Sequence, residues 1–154
     1  MFWNGNLSIW AALLAWILAQ TIKMAAQFRR TRHLDFSTLV STGGMPSAHS
    51  AMASALAASV GLREGFGSSV FAVTLAFALV VMFDAQSVRR AAGQQARTLN
   101  RIVDELFHQH HLNQHRLAEL LGHTRTEVFA GLLTGLGVAL ALHGWAARIA
   151  AAGN

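Results

Sequence analysis

The chain has 154 residues, of which 53% are hydrophobic and 12% are charged, about half the charged share of a typical soluble domain. This length suits a single domain covering residues 1–154, and its apolar composition predicts a membrane protein. The formal charge of +5 comes from eleven arginines and one lysine against seven acidic residues. These charges lie between apolar blocks, which favours anionic lipid headgroups over nucleic acid as the partner. The absence of cysteine excludes disulfides, thiolate metal sites and cysteine nucleophiles.

Four apolar blocks predict transmembrane helices. They cover about residues 7–22, 45–62, 68–84 and 128–147. Each block approaches the ~20 residues that a helix needs to cross ~30 Å of hydrocarbon. We therefore predict an all-α, membrane-embedded bundle of about four short transmembrane helices. Small residues, including Gly131-x-x-x-Gly135, predict close helix packing, and we expect these faces to support a homo-oligomer.

A polar stretch at about residues 86–125 separates the last two blocks. Leu99, Ile102, Val103 and Leu106 recur at helical spacing, which predicts an amphipathic helix from about Arg89 to Phe107. A second short helix is predicted at 114–121, before Gly122, so that the stretch forms a helical hairpin insertion. Its histidines lie at positions 108, 110, 111 and 115. Their spacing fits a solvated loop better than a metal site.

The only proline lies just inside the second block. The segment is Gly43-Gly44-Met45-Pro46-Ser47-Ala48-His49. Proline favours the first helical turn, and unpaired N–H groups at a helix start, with the Ser47 hydroxyl, can hold phosphate oxygens. His49, one turn later at the edge of an apolar span, could donate a proton. The segment is therefore either a phosphate-binding element or an ordinary helix start.

A second motif, His123-Thr124-Arg125-Thr126-Glu127, begins the fourth block. On a helix, His123 and Glu127 share a face because they are four residues apart. A carboxylate bound to one imidazole nitrogen leaves the other nitrogen free to attack phosphorus. Thr124 and Glu127 also have the spacing of a capping box. Because one carboxylate cannot fully serve both roles, the sequence leaves both interpretations open.

Basic residues follow the first and third blocks, where single cations are usually interfacial anchors. The positive-inside rule places both basic segments in the cytoplasm and both termini outside. Six candidate groups then share the cytoplasmic side: Lys23, Arg30, His49, Arg89, Arg90 and His123. Such a cluster could position a phosphoryl group and stabilise its charge.

In this order, the motifs resemble the three-part signature of the type 2 phosphatidic-acid phosphatase superfamily, which includes the vanadium haloperoxidases. The matching positions are Lys23 and Arg30, Pro46 to His49, a following arginine, and His123, Glu127 and Gly131. The chain is most similar to the divergent small-protein branch labelled acid phosphatase/vanadium-dependent haloperoxidase-related. The resemblance extends from Lys23 to about Gly137.

The resemblance implies a phosphatase that needs neither a metal nor a cofactor. His123 would be the nucleophile that forms a phosphohistidine, Glu127 would orient it, and His49 would protonate the leaving alkoxide. The phosphate oxygens would be held by Lys23, Arg30, Ser47 and one of Arg89 or Arg90. The expected substrate is a phospholipid phosphomonoester, such as phosphatidylglycerophosphate, reached from the cytoplasmic face of the inner membrane.

The chain differs from the family pattern at four points. Thr31 follows Arg30 where the family has proline, Ala48 stands in place of glycine, and Glu127 stands in place of aspartate. The nearest matching arginines precede His123 by more than thirty residues, whereas the family places one six residues before it. The alternative is therefore a non-catalytic membrane protein that binds anionic headgroups through the same cations. A haloperoxidase suits a membrane-embedded chain less well.

Overall fold

The computed structural model describes residues 6–33, 44–106 and 123–153, without the side chains of 88–90 and 105–106. These residues form five helices: α1 (Leu7–Thr31), α2 (Ala48–Glu64), α3 (Ser69–Gln86), α4 (Val88–Leu106) and α5 (Arg125–Ala152). The all-α prediction is confirmed. The predicted helix at 114–121 and the histidine-rich segment lie outside the described residues.

Three segments within the described ranges are long and apolar enough to cross a membrane. They are α1, a stretch Ser69–Asp104 that contains α3 and most of α4, and α5. The remaining predicted span corresponds to α2, which has 17 residues and would extend about 25 Å at 1.5 Å per residue. It is therefore slightly short for a ~30 Å hydrocarbon layer.

The helix ends differ from the ends of the apolar blocks. The first block ends before Lys23, but α1 continues to Thr31 because a single charge ends a hydropathy run without disfavouring helix. Arg29 and Arg30 then occupy its last turn, where cations interact favourably with the helix dipole. Similarly, α5 continues through an alanine-rich tail to Ala152.

The centre of the bundle is α2, which packs against α1, α3 and α5. Its core with α1 consists entirely of alanines: Ala11, Ala15 and Ala19 of α1, and Ala48, Ala51 and Ala55 of α2. Small side chains allow two helix axes to approach closely, and this is how apolar helices associate inside a membrane. The Ala- and Ser-rich composition of α2 thus makes it the buried helix.

Gly131 and Gly135 of α5 lie directly against α2. A Cβ atom on Gly131 would collide with the carbonyl oxygen of Ser47, and one on Gly135 would collide with the Ser54 hydroxyl and the Ala51 carbonyl. The predicted close packing at Gly131-x-x-x-Gly135 is confirmed. Because this contact is made within the chain, a homo-oligomer would need a different surface; its existence stays a prediction.

Polar contacts join the helices at the opposite end of the bundle from Thr31. The buried Ser59 hydroxyl of α2 lies 2.8 Å from Nε2 of His143 in α5 and 3.1 Å from the Ser8 hydroxyl of α1. Intramembrane polar groups are costly unless they are hydrogen-bonded. These contacts therefore satisfy them while fixing three helices to one another.

The amphipathic helix predicted from about Arg89 to Phe107 is present as α4, Val88–Leu106. It follows α3 after Ser87 and contacts α3 alone among the described helices. Leu99 and Ile102 on its apolar stripe are exposed. The polar insertion thus begins as a continuation of α3 that leaves the four-helix core.

Candidate functional site

Four helix ends meet at the end of the bundle that contains Thr31. The backbone N–H of Ser47, just before α2, donates a 2.9 Å hydrogen bond to the carbonyl oxygen of Glu127 in the first turn of α5. The backbone N–H of His123 donates a 3.1 Å bond to the carbonyl oxygen of Ala85 near the end of α3. Three segments distant in sequence are thus joined by main-chain bonds.

A cavity of about 570 Å³ opens beside this junction, and its wall is formed by α1 and the start of the proline segment. Lys23, Gln27, Arg30 and Thr31 line it from α1, with Gly44 and Met45 across from them. Two of the predicted phosphate-binding cations therefore share one cavity. We call it the cation cavity.

Lys23 lies at the inner wall of the cation cavity and is only 5% exposed. A buried ammonium group needs a counter-charge or strong hydrogen bonds, and the Glu127 carboxylate is near enough to attract it electrostatically. The Lys23 side chain also packs against Gly44: a Cβ atom there would lie 3.7 Å from Lys23 Cδ. Lys23 therefore connects the first motif to both others.

Gly44 has a φ of +93°, a conformation that glycine adopts readily and other residues rarely do. The chain turns there from the cation cavity towards α2. This backbone conformation explains why a glycine stands at position 44, directly before Met45. Gly43 lies outside the described residues.

Ser47 is the N-cap of α2 rather than a residue of its first turn. Its hydroxyl accepts hydrogen bonds from the Ser50 backbone N–H at 3.4 Å and the Ser50 hydroxyl at 3.0 Å, and its side chain is fully buried. Pro46 therefore precedes the N-cap, which corrects the expectation that proline occupies the first helical turn. The Met45–Pro46 peptide bond is cis.

The start of α5 has the capping box that its spacing allows. The Thr124 backbone N–H donates to Glu127 Oε2 at 2.9 Å, and the Glu127 backbone N–H donates to the Thr124 hydroxyl at 3.3 Å. One Glu127 oxygen is thereby occupied. His123 precedes the N-cap Thr124, so the expectation that His123 and Glu127 share a helical face is wrong.

The other predicted site residues have different surroundings. His123 is 1% exposed, whereas His49 lies in the first turn of α2 with an exposed side chain. Arg89 and Arg90 belong to the first turn of α4, and their side chains lie outside the described part of the chain. The structure thus brings Lys23, Arg30 and the main chain of the second and third motifs to one end, while the assigned chemical roles stay predictions.

Two cavity residues were missed by sequence reasoning. Gln27 and Thr31 line the cation cavity together with Lys23 and Arg30. Gln27 is one helical turn beyond Lys23, and Thr31 is one turn beyond Gln27, so the four-residue spacing of a helical face could have identified both. Neither carries a charge, so neither stands out in the sequence as a phosphate ligand.

Comparison with known proteins identifies the family. A family model described as the Divergent PAP2 family matches residues 4–138. The chain belongs to the divergent PAP2 family. An uncharacterized membrane protein of Bacillus subtilis (strain 168), YuiD, is 44% identical over 148 residues, which cover 89% of this chain and 94% of YuiD. No solved structure matches the chain.

The family match includes all three motifs, from Lys23 to Gly131. A relative described as a membrane protein agrees with the three apolar segments long enough to span a bilayer. This divergent PAP2 protein is therefore an all-α membrane protein.

Proposed function

We propose that this divergent PAP2 protein is a membrane lipid phosphatase that hydrolyses a phosphomonoester through a phosphohistidine. One observation carries the proposal: the cation cavity holds Lys23 and Arg30 beside a segment hydrogen-bonded to the start of α5. Phosphoryl transfer depends chiefly on positioning and on stabilisation of charge on the phosphoryl oxygens. Lys23 and Arg30 in one cavity can supply both the positioning and the positive charge.

The phosphate of the substrate binds in the cation cavity. Arg30 is exposed at the cavity wall, and its planar guanidinium can donate two parallel hydrogen bonds to phosphate oxygens. Lys23 adds a second positive charge from the buried side. The Glu127 carboxylate lies near enough to attract Lys23, so this buried ammonium group is not an isolated charge.

The reaction proceeds in two steps. An imidazole nitrogen of His123 attacks phosphorus, an N–P bond forms, and the bond from phosphorus to the lipid oxygen breaks while His49 gives that oxygen a proton. A water molecule then attacks the phosphohistidine, its proton passes to His49, and the N–P bond breaks to release phosphate and restore His123. Since His123 is 1% exposed, substrate binding must expose the imidazole.

The proposed substrate side is the cytoplasmic leaflet of the inner membrane. Lys23, Arg29, Arg30 and Arg32 follow the first apolar segment at the end of the bundle that bears the cation cavity. Excess arginine and lysine favours the cytoplasmic side. A phosphomonoester lipid made there, such as phosphatidylglycerophosphate, could then enter laterally.

A second candidate function is non-catalytic binding of anionic headgroups. The burial of His123 and the use of one Glu127 oxygen in the capping box favour it, because both features serve helix packing without chemistry. The same cations would bind the phosphate without transferring it.

Phosphate release from short-chain phosphatidic acid in detergent separates these candidates. The protein should release phosphate, His123→Ala should abolish release, and His33→Ala should retain it because His33 lies beyond α1 on an exposed turn. Vanadate, a phosphate mimic, should inhibit the active protein. Release no greater than that of His123→Ala would eliminate the phosphatase and leave headgroup binding.

A further inference from the structure

A second cavity of about 680 Å³ lies between α3 and α5 and is almost entirely apolar. Its walls include Leu79, Met82 and Phe83 of α3, and Phe129, Ala130 and Leu133 of α5. The volume lies within the ~300–1,000 Å³ range of ligand-binding pockets. We call this cavity the α3/α5 groove.

The α3/α5 groove is joined to the cation cavity by one side chain. Met45 lines both cavities and is 56% exposed, so the phosphate-binding wall and the apolar wall adjoin at this flexible residue. Arg125 and Gln86 line the same groove and make one part of it polar. A ligand that enters both cavities must therefore have an anionic part and an apolar part.

The apolar path continues beyond the groove. A further cavity of about 260 Å³ shares Met82 and Leu132 with the groove and extends to Phe66 and Leu140. From Arg125 to Leu140 along α5 is about 22 Å at 1.5 Å per residue. This length exceeds the ~15 Å thickness of one hydrocarbon leaflet, so it can accommodate a long extended chain.

We propose that the α3/α5 groove binds one acyl chain of the phosphomonoester lipid whose phosphate occupies the cation cavity. The inference rests on the proposed phosphate site and narrows its substrate to phosphomonoester lipids with an acyl chain that enters the groove. Charge complementarity and continuity at Met45 select this occupant: a soluble phosphomonoester would leave the groove empty, and a neutral lipid would leave the two cations unused.

Photo-crosslinking in phosphatidylcholine nanodiscs tests the acyl site without requiring turnover. The probe is a phosphonate analogue of phosphatidic acid, whose P–C bond resists hydrolysis, with a diazirine on one acyl chain. Phosphatidylcholine with the same diazirine chain reports general lipid contact. At each residue, the labelling ratio is the labelling by the phosphonate probe divided by the labelling by the phosphatidylcholine probe.

The labelling ratio should be at least about fivefold higher at Leu79, Phe129 and Leu133 than at Val73 and Phe77. Val73 and Phe77 are exposed on α3 and line neither the groove nor its continuation. Equal ratios at both sets of residues would overturn the proposal.

Two matched variants of α5 test whether the groove itself binds the chain. Ala130→Trp places a large ring in the groove and should reduce the ratio at Leu133 to that of Val73. Ala141→Trp makes the same change at an exposed position away from the described cavities and should leave the ratio unchanged. Both variants should retain the thermal unfolding midpoint of the parent, and an unchanged ratio in Ala130→Trp would contradict the assignment.

The acyl site and the phosphatase proposal fail separately. Enriched labelling without phosphate release would retain the acyl site and remove the catalytic function. Phosphate release with uniform labelling would retain the function and overturn the acyl site.

Discussion

The backbone N–H of Ser47 donates a 2.9 Å hydrogen bond to the backbone carbonyl oxygen of Glu127. Both atoms belong to the main chain, so this bond does not depend on the chemistry of either side chain. It depends on how closely the start of α2 approaches α5. That approach is possible because Gly131, one helical turn beyond Glu127, has no Cβ atom to strike the Ser47 carbonyl.

Adding one methyl group at either helix contact should therefore destabilise the fold. Gly131→Ala and Gly135→Ala place Cβ atoms against backbone and serine atoms of α2, and overpacking of this kind costs about 1–3 kcal/mol. We expect a lower thermal unfolding midpoint in detergent for both variants.

Gly137→Ala is the matched control because a Cβ atom on Gly137 meets nothing within 4 Å. Alanine is about 1 kcal/mol better than glycine within a helix, so this variant should be as stable as the parent or more stable. Equal loss of stability in all three variants would show that packing against α2 is not the cause.

Charge and capping at Glu127 can be separated by two substitutions. Glu127→Gln preserves an acceptor for the capping box but removes the negative charge beside Lys23. If Glu127 supports the reaction, phosphate release per folded molecule should fall about 100-fold, and the unfolding midpoint should also fall because buried Lys23 loses its counter-charge.

Thr124→Ala makes the complementary change. It removes the hydroxyl that accepts from the Glu127 N–H and should cost about 1 kcal/mol of stability. Activity per folded molecule should stay within about twofold of the parent. Loss of activity from both variants in proportion to their loss of stability would assign Glu127 a capping role alone.

Neighbouring arginines near the end of α1 provide a test of the cation cavity. Arg30 lines the cavity, whereas the adjacent Arg29 is exposed and absent from its lining. A charged hydrogen bond contributes about 1.5–3 kcal/mol, so Arg30→Gln should weaken binding of a phosphomonoester lipid about 10- to 100-fold.

Arg29→Gln removes the same charge one residue away and should change binding less than about threefold, since an exposed charge is screened. Titration of both variants with vesicles that contain short-chain phosphatidic acid measures the difference. Equal weakening would indicate general electrostatic attraction to the membrane surface instead of a defined phosphate site.

The orientation in the membrane can be measured because the chain has no cysteine. Gly67→Cys and Ser87→Cys introduce single thiols just outside the two ends of α3. With both termini outside, a membrane-impermeant maleimide should label Gly67→Cys in intact cells and label Ser87→Cys only after the membrane is opened. The reverse pattern would place the cation cavity on the outer face and exclude a cytoplasmic substrate.

The sequence predicted the helices better than their ends. All four apolar blocks are helical, because runs of apolar residues define both bilayer contact and helix packing. The second apolar block predicts a span from residue 45, but Ser47 caps the helix and Ala48 begins it. Likewise, the first apolar block ends before the charged Lys23, whereas α1 continues through Lys23 to Thr31.

The site could be predicted as a set of residues but not as an arrangement. Lys23 and Arg30 are seven residues apart, a spacing that places both on one helical face, and in the structure both line the cation cavity. The bond between Ser47 and Glu127 joins residues eighty positions apart, and no local pattern encodes it. The burial of His123 also depends on packing, since the three residues that follow it, Thr124 to Thr126, are polar and exposed.

The short central helix has a consequence for how the protein responds to its bilayer. Because α2 is surrounded by α1, α3 and α5, those outer helices bear most of the mismatch when the hydrocarbon layer thickens or thins. The proline segment and the start of α5 are fastened to α2 through Ser47 and the two glycine contacts. Since the rest of the cation-cavity wall belongs to α1, a change in the acyl-chain length of the surrounding lipid should move Lys23 and Arg30 relative to this fastened segment.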